Sequence, residues 1–448
     1  MLSNLRISAD RRYFVTADGV PFFYLADTAW ELFHRLNRAD AEVYLSDRAA
    51  KGFNAIQAVV LAEADGLRTP NALGELPLRD LSPARPNEAY FQHVDWMVDR
   101  AAELGLYTTM LPTWGDKWSR RSDAGPEVFT PENAVQFGEW LGRRYRTRPV
   151  IWMLGGNRCP ENPRHYAIIR AMAEGLRRGD GGAHLMTFHT AGAASSAEFF
   201  HGDKWLDFNS RQNGHETDFH RYALTRFDYD RSPTKPVISG EPVYEDIPVS
   251  LQTVNPTYTN ASDVRRAFYW NVFGGACGHT YGHHSVWQFH EAGRPSRYAP
   301  LMTWREALLQ PGAFQMGIGR RLMEARPAAG RVPDEEFLVP SEAVPGSGQA
   351  RLVATREASG AYAMVYQPES RAFDVRLDRI SGDAVNVWRV DPRTGTTAGV
   401  GTFPTAGVQR FCPPMRGERL DWIYVFDDAS REWPAPGQLP FSSARTLS

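Results

Sequence analysis

The stretch Lys235-Pro236-Val237-Ile238-Ser239-Gly240-Glu241-Pro242-Val243-Tyr244-Glu245 reads as a short buried strand that stops at Gly240 and delivers one carboxylate, Glu241. Pro242 has no N–H to donate, so it ends any further pairing. A carboxylate at the end of a buried strand is costly unless it has a partner or a task. Glu241 is therefore either a structural carboxylate held by an arginine or a nucleophile. In a barrel of parallel strands the C-terminal strand ends form the active face, which favours the second reading.

The rest of the chain supplies the other strands. Short apolar runs cover 22–26, 55–60, 107–112, 150–154, 184–188, 206–210, 237–239 and 278–282. Segments of helical periodicity lie between most of them, at 39–51, 91–104, 131–145, 164–176, 263–272 and 303–309. Thr130 and Pro131 form a cap and first-turn pair. The alternation predicts a (β/α)8 TIM barrel. An open doubly wound sheet would usually place a glycine-rich loop after its first strand, but Leu25-Ala26-Asp27-Thr28-Ala29-Trp30 has no glycine. Before the first strand, Asp18-Gly19 turns a small hairpin between Tyr13-Phe14-Val15 and Pro21-Phe22-Phe23.

After about Arg331 the pattern changes to short strands at regular spacing, near 351–355, 361–366, 373–377, 385–390 and 422–426. A small all-β sandwich is expected there. This divides the chain into residues 1–330, hairpin plus barrel, and 331–448, an accessory sandwich. No glycine-, serine- or proline-rich linker separates Leu322 from Val332, so the two should pack together. The Pro- and Ser-rich tail after Asp428 should wrap the surface or fray.

Composition excludes several classes. The net charge of −2 gives no electrostatic reason to expect nucleic acid or an anionic membrane as partner. Three distant cysteines do not make a disulfide framework. No apolar run of about 18 residues predicts a membrane span. The N-terminus has no signal-peptide pattern, which points to the cytoplasm. Thirteen tryptophans suit either a large core or stacking against sugar faces.

If the barrel is right, its strand ends name the site. They bring Asp27 and Trp30, then Glu63, then Trp114, Asp116 and Lys117, then Asn157 and Arg158, then His189. Gln212 and Asn213, Glu241, and finally His283, His284 and Trp287 complete the rim. Such a mixture suits a polyhydroxylated ligand. Cleaving a glycosidic bond with retention needs an acid/base and a nucleophile, two carboxyls about 5–5.5 Å apart.

Four stretches carry a family likeness: 23–31, Trp152-Met153-Leu154-Gly155-Gly156-Asn157-Arg158, 239–245, and Gly278-His279-Thr280-Tyr281-Gly282-His283-His284-Ser285-Val286-Trp287. Together they resemble the apiosidase-like glycoside hydrolases (family 140), in order, from about Leu5 to the chain's end. The resemblance implies a TIM barrel followed by a β-sandwich of the kind labelled collagen-binding. It implies a retaining enzyme acting on an apioside or another pentofuranoside, without cofactor, with its acid/base after the fourth strand and its nucleophile at Glu241. Asp27, Trp30, Glu63, Trp114, Arg158, His189, His283, His284 and Trp287 would shape the sugar subsite.

The chain departs from that pattern where the proton is supplied. Family members usually carry Gly-Gly-Asp-Arg, and this chain has Asn157. An amide cannot give a carboxylic proton. Three readings stay open: an altered form that has lost its acid, and with it activity; a natural relative that borrows another carboxyl, such as Glu63 or Glu161; or a carbohydrate-binding protein without turnover.

Blander roles exist for other residues. Asp27 could cap the following helix. His279, His283, His284 and His290 do not have a helical zinc spacing, and no metal is expected. His215 and His220 are one residue too far apart for a shared helix face.

Overall fold

The computed structural model describes residues 2–121, 124–340, 348–415, 417 and 419–437. Eight parallel strands form the first unit: β1 (Tyr24–Thr28), β2 (Ala55–Leu61), β3 (Tyr107–Thr113), β4 (Val150–Leu154), β5 (Met186–Phe188), β6 (Asn209–Gln212), β7 (Val237–Glu241) and β8 (Gly278–Tyr281). The ladders run β5-β4-β3-β2-β1-β8-β7-β6. The two end strands meet through Asp207 N–H to Met186 O, 2.9 Å, and Thr187 Oγ1 to Phe208 O, 2.7 Å. The sheet is thus a nearly closed TIM barrel. Every strand residue is buried, as expected when helices cover one face of a parallel sheet and the barrel core fills the other.

The predicted helices are present with small end shifts, among them Arg38–Ala50, Glu88–Glu103, Pro131–Tyr145, Pro163–Asp180 and Ala261–Phe273. Thr130 caps as expected, accepting from the Asn133 N–H in a reciprocal box. The region 303–309 holds only the turn Trp304–Ala307, and a longer helix, Pro311–Glu324, follows it. Helix Phe219–Tyr229 was not anticipated. Three short strands, Arg6–Ile7, Phe14–Val15 and Pro21–Phe22, precede the barrel. They set Phe14 edge-on against Phe208 at the N-terminal end, with ring centroids 4.9 Å apart.

The second unit is all antiparallel. Strands Arg331–Pro333, Val353–Glu357, Tyr362–Gln367, Trp422–Asp428, Ala384–Val390 and Thr397–Pro404 form one sheet in that order. Phe373–Arg376 pairs with Val408–Phe411 in a second. Phe337, Val365, Phe373, Phe411 and Phe426 fill the space between. The barrel meets this unit through helix Ala261–Phe273. Its Arg265 forks onto Asp421 at 2.7 and 2.8 Å, and Tyr269 stacks on Tyr366 at 4.6 Å. Arg326 binds Asp427 in the same way, 2.8 Å from Nε, and Trp433 of the tail packs over the Arg326 guanidinium. The tail beyond residue 437 lies outside the described residues. Among the described residues, no helix is long and apolar enough to cross a membrane.

Candidate active site

Glu241 reaches the barrel mouth because β7 carries a bulge. Ser239 pairs with Arg211 and Glu241 with Gln212, which leaves Gly240 as an extra residue. Bulges re-aim the side chain that follows them. A Cβ on residue 240 would lie 2.1 Å from Ser210 Oγ, so any larger residue would have to push that hydroxyl aside. Glu241 is buried, 5 % exposed. Gln212 Nε2 donates to its Oε2 at 2.6 Å, and Tyr244 Oη donates to its Oε1 at 2.5 Å. His189 Nε2 lies 2.9 Å from Oε2, close but without an aligned hydrogen bond, and His215 Nε2 lies 3.7 Å from Oε1. Burial alone would raise this carboxyl. The neighbouring His189, then His215 and the Tyr244 hydroxyl, outweigh it and hold Glu241 below the usual range, hence ionised at neutral pH.

The supports are themselves supported. Trp30 Nε1 donates to Tyr244 Oη at 3.2 Å, and the Trp30 ring stacks on His189 with centroids 5.1 Å apart. Trp114 lies edge-on to the same histidine.

Glu241 faces a cavity of about 260 Å³. Its walls are Trp30, Trp114, Trp287 and Tyr298, and its polar lining includes Glu63, Asn157, Gln212, His215, Glu216 and Arg297. A larger cavity of about 660 Å³ lies at the opposite, N-terminal end, between the first hairpin, helix Pro311–Glu324 and the second unit. In a TIM barrel that end serves stability, and the chemistry sits at the C-terminal end.

Asn157 projects from a loop that only unusual backbone allows. Gly155, Gly156 and Asn157 have φ of 105°, 84° and 57°. A Cβ on Gly155 would strike His189 O at 2.3 Å, and one on Gly156 would strike Gly115 N at 2.7 Å. Asn tolerates the left-handed region better than most residues. Arg158 does not line the cavity. It donates to Asn157 O at 2.7 Å and to Ser119 O at 3.2 Å, and so braces the loop.

Glu63 follows β2 in a tight turn, where Gly66 N–H returns to Glu63 O at 3.0 Å and Ala64 and Asp65 take positive φ. The residue is 4 % exposed and its Oε1 has no hydrogen-bond partner. Arg297 Nη1 lies 3.9 Å from Oε2. Burial raises the Glu63 carboxyl, Arg297 opposes that, and Glu31 and Asp116 add to the rise, which takes it up to about 8. Glu161 lies elsewhere, half exposed and paired with Arg121.

Of the expected subsite residues, Trp30, Glu63, Trp114 and Trp287 line the cavity with Asn157 and Glu241, and His189 sits just behind. Four do not: Arg158, which braces the loop, and Asp27, His283 and His284. Asp27 neither caps a helix nor meets the cavity; it is fully buried, accepting from Arg48 Nε and Tyr44 Oη, each at 2.6 Å. His283 turns its Nδ1 to the Ser285 N–H at 3.1 Å, and burial lowers its pKa to about 3. His284 stands behind Trp287, whose Nε1 donates to His284 Nδ1 at 3.3 Å. Among the described residues, no three His, Cys, Asp or Glu side chains converge as metal ligands. Tyr244, His215, Arg297 and Tyr298 were not expected at the site. Tyr244 sits three residues after Glu241, a spacing that could have drawn attention to it.

Comparison with known proteins agrees with this fold. Residues 8–329 match the family "Apiosidase-like, catalytic domain", and residues 332–427 match "Putative collagen-binding domain of a collagenase". A solved structure described as "Glycoside hydrolase" is 32 % identical, with TM-score 0.88, over 96 % of this chain and 98 % of its own. A glycoside hydrolase family 5 structure from Bacteroides vulgatus ATCC 8482 is 31 % identical, with TM-score 0.87, over 96 % and 95 %. No curated protein matches the chain. With the catalytic-domain match spanning most of its length, the chain belongs to the apiosidase-like family of glycoside hydrolases.

Proposed function

We propose that the protein is a retaining glycosidase that releases a terminal apiosyl or other pentofuranosyl unit, with Glu241 as nucleophile. One observation carries the reading: a bulge turns Glu241 into a cavity of about 260 Å³, where Gln212 and Tyr244 donate to it and His189 lies beside it. That volume is below the ~300–1,000 Å³ of pockets for drug-sized ligands and suits one small sugar ring. Trp30, Trp114 and Trp287 offer apolar faces to its C–H groups, and Gln212, His215 and Glu216 offer hydrogen bonds to hydroxyls. The family description is the reason to put apiose first. Because retention proceeds through two displacements at the anomeric carbon, the product first formed keeps the substrate's configuration. A panel of aryl pentofuranosides, with proton NMR of the first-formed sugar, tests the proposal. Turnover with retained configuration is expected; inversion would overturn it.

A second reading has its own observation. Asn157 lines the cavity where the family's acid is expected, so a protein that binds glycosides without cleaving them fits the same site. Such a protein would raise its melting temperature with ligand and release no sugar even from a 2,4-dinitrophenyl glycoside, whose leaving group needs little protonation.

A further inference from the structure

We propose that Glu63 is the acid/base of this site, giving and recovering the proton that position 157 cannot; the inference rests on Glu241 being the nucleophile. The first argument is placement. Counting round the ring, β4 lies three strands from β7 by way of β6 and β5, and β2 lies three strands from β7 by way of β8 and β1. Glu63, just past β2, therefore approaches the cavity from the opposite flank at the same strand separation as Asn157.

The second argument is elimination among neighbours. Among the described residues, three carboxyls line the cavity: Glu63, Glu216 and Glu241. Glu241 is held as a carboxylate by two donors, Gln212 and Tyr244, with His189 beside it. Glu216 has both oxygens engaged, by Ser250 Oγ at 2.8 Å and Arg221 Nη2 at 3.5 Å. Nearby Asp116 is tied to Lys117 Nζ at 2.7 and 2.9 Å and to the Gly125 N–H at 2.9 Å. Glu63 alone among the three keeps a buried oxygen without a partner. The turn that carries it holds two residues at positive φ, Ala64 and Asp65, followed by the buried Leu67.

The third argument is that the two carboxyls are driven apart in protonation. Burial and the Glu31 and Asp116 carboxylates keep Glu63 protonated at neutral pH, while Glu241 is ionised. Arg297 stands close enough to receive the carboxylate once its proton has gone.

The steps balance. A Glu241 oxygen forms a bond to the anomeric carbon as the bond to the leaving oxygen breaks. That oxygen keeps the bonding pair, takes the Glu63 proton and departs as an alcohol. The Glu63 carboxylate then takes a proton from water as the water oxygen attacks the anomeric carbon. The ester to Glu241 breaks, and both carboxyls return to their starting states.

The test is a leaving-group series on Glu63→Gln and Glu63→Ala, with azide added. Labelling of Glu241 by an activated fluoroglycoside shows that each variant is folded. For substrates with poor leaving groups we expect kcat/KM to fall about 10²–10⁴-fold. Dinitrophenyl substrates should lose less than about tenfold in the first step. Azide should restore turnover and yield a glycosyl azide of retained configuration, which a merely structural Glu63 would not produce. An unchanged leaving-group dependence with no azide product, while Glu241→Gln still abolishes labelling, would overturn the role of Glu63 and leave the nucleophile standing. Labelling that survives in Glu241→Gln would instead overturn the underlying reading.

Discussion

Gln212 and Glu241 are partners across the β6–β7 ladder, Nε2 to Oε2 at 2.6 Å, and they pair only because Gly240 is left out of it. The relationship makes one glycine responsible for the aim of the proposed nucleophile. Gly240→Ala should destabilise the protein by about 1–3 kcal/mol, the usual cost of forcing extra volume into a packed site. It should slow labelling of Glu241 at least about a hundredfold, the cost of a misplacement of about an ångström. Ser210→Ala in the same chain should recover part of both losses, since the clash is with Ser210 Oγ at 2.1 Å and its Cβ is 3.4 Å away. Urea unfolding and labelling rates on the two variants check this.

Tyr244→Phe removes the 2.5 Å hydrogen bond to Glu241 and the acceptor for Trp30 Nε1. The hydroxyl is one of the groups that lower the Glu241 pKa, so its loss should raise that pKa. The acid limb of kcat/KM should therefore move to higher pH. A hydrogen bond to a charged group contributes about 1.5–3 kcal/mol, so a loss of about 10–100-fold is expected below the optimum. An acid limb that stays in place would show that Tyr244 does not act on Glu241.

Glu63 gives a stability prediction independent of turnover. Its folded value is about 8, above the ordinary 4.5. Between these values the folded state holds a proton that the unfolded state has released, so stability falls as pH rises from about 4.5 through about 8. Glu31, Asp116, Lys117 and Arg297 all act on this carboxyl. In Glu63→Gln the loss should vanish, and the variant should gain on the order of a few kcal/mol over wild type at pH 9 relative to pH 5. Thermal melts at the two pH values measure it; parallel melts would contradict the buried protonated carboxyl.

At position 157 the account predicts context dependence. Asn157→Asp alone should change turnover less than about tenfold, because Glu63 already supplies the proton. In the Glu63→Gln background it should restore at least about tenfold on poor leaving groups, within the ~10²–10⁴ range of a positioned acid. A comparison of the two backgrounds on one alkyl glycoside decides it.

Between the two units, Asp421→Ala strands the buried Arg265 guanidinium. Breaking such a pair costs about 3–5 kcal/mol. Wild-type urea unfolding should be a single transition, and the variant should unfold earlier or in two steps. Clean proteolysis of wild type near Ala328-Ala329-Gly330 into two folded pieces would count against a shared core.

What the sequence showed, it showed through local pattern. The eight strands were legible as short apolar runs, and Glu63, Asn157 and Glu241 as the polar residues that end three of them. Asp27 obeyed the same rule but turned elsewhere, because its partner Arg48 comes from the following helix and no local signal announces that bond. Arg297 and Tyr298 reach the cavity from a long loop after β8, where Gln288 holds the Arg297 backbone at 2.9 Å. Strand Thr397–Pro404 was missed because none of its residues is buried and it holds Gly399 and Gly401, so it lacks the apolar alternation that marks a half-buried strand.

The most direct measurement is to stall the reaction with an activated fluorinated pentofuranoside and map the labelled peptide by mass spectrometry. The account predicts one sugar per chain, esterified to Glu241, with labelling abolished in Glu241→Gln. A sugar attached to Glu63, Glu216 or any other residue would contradict it.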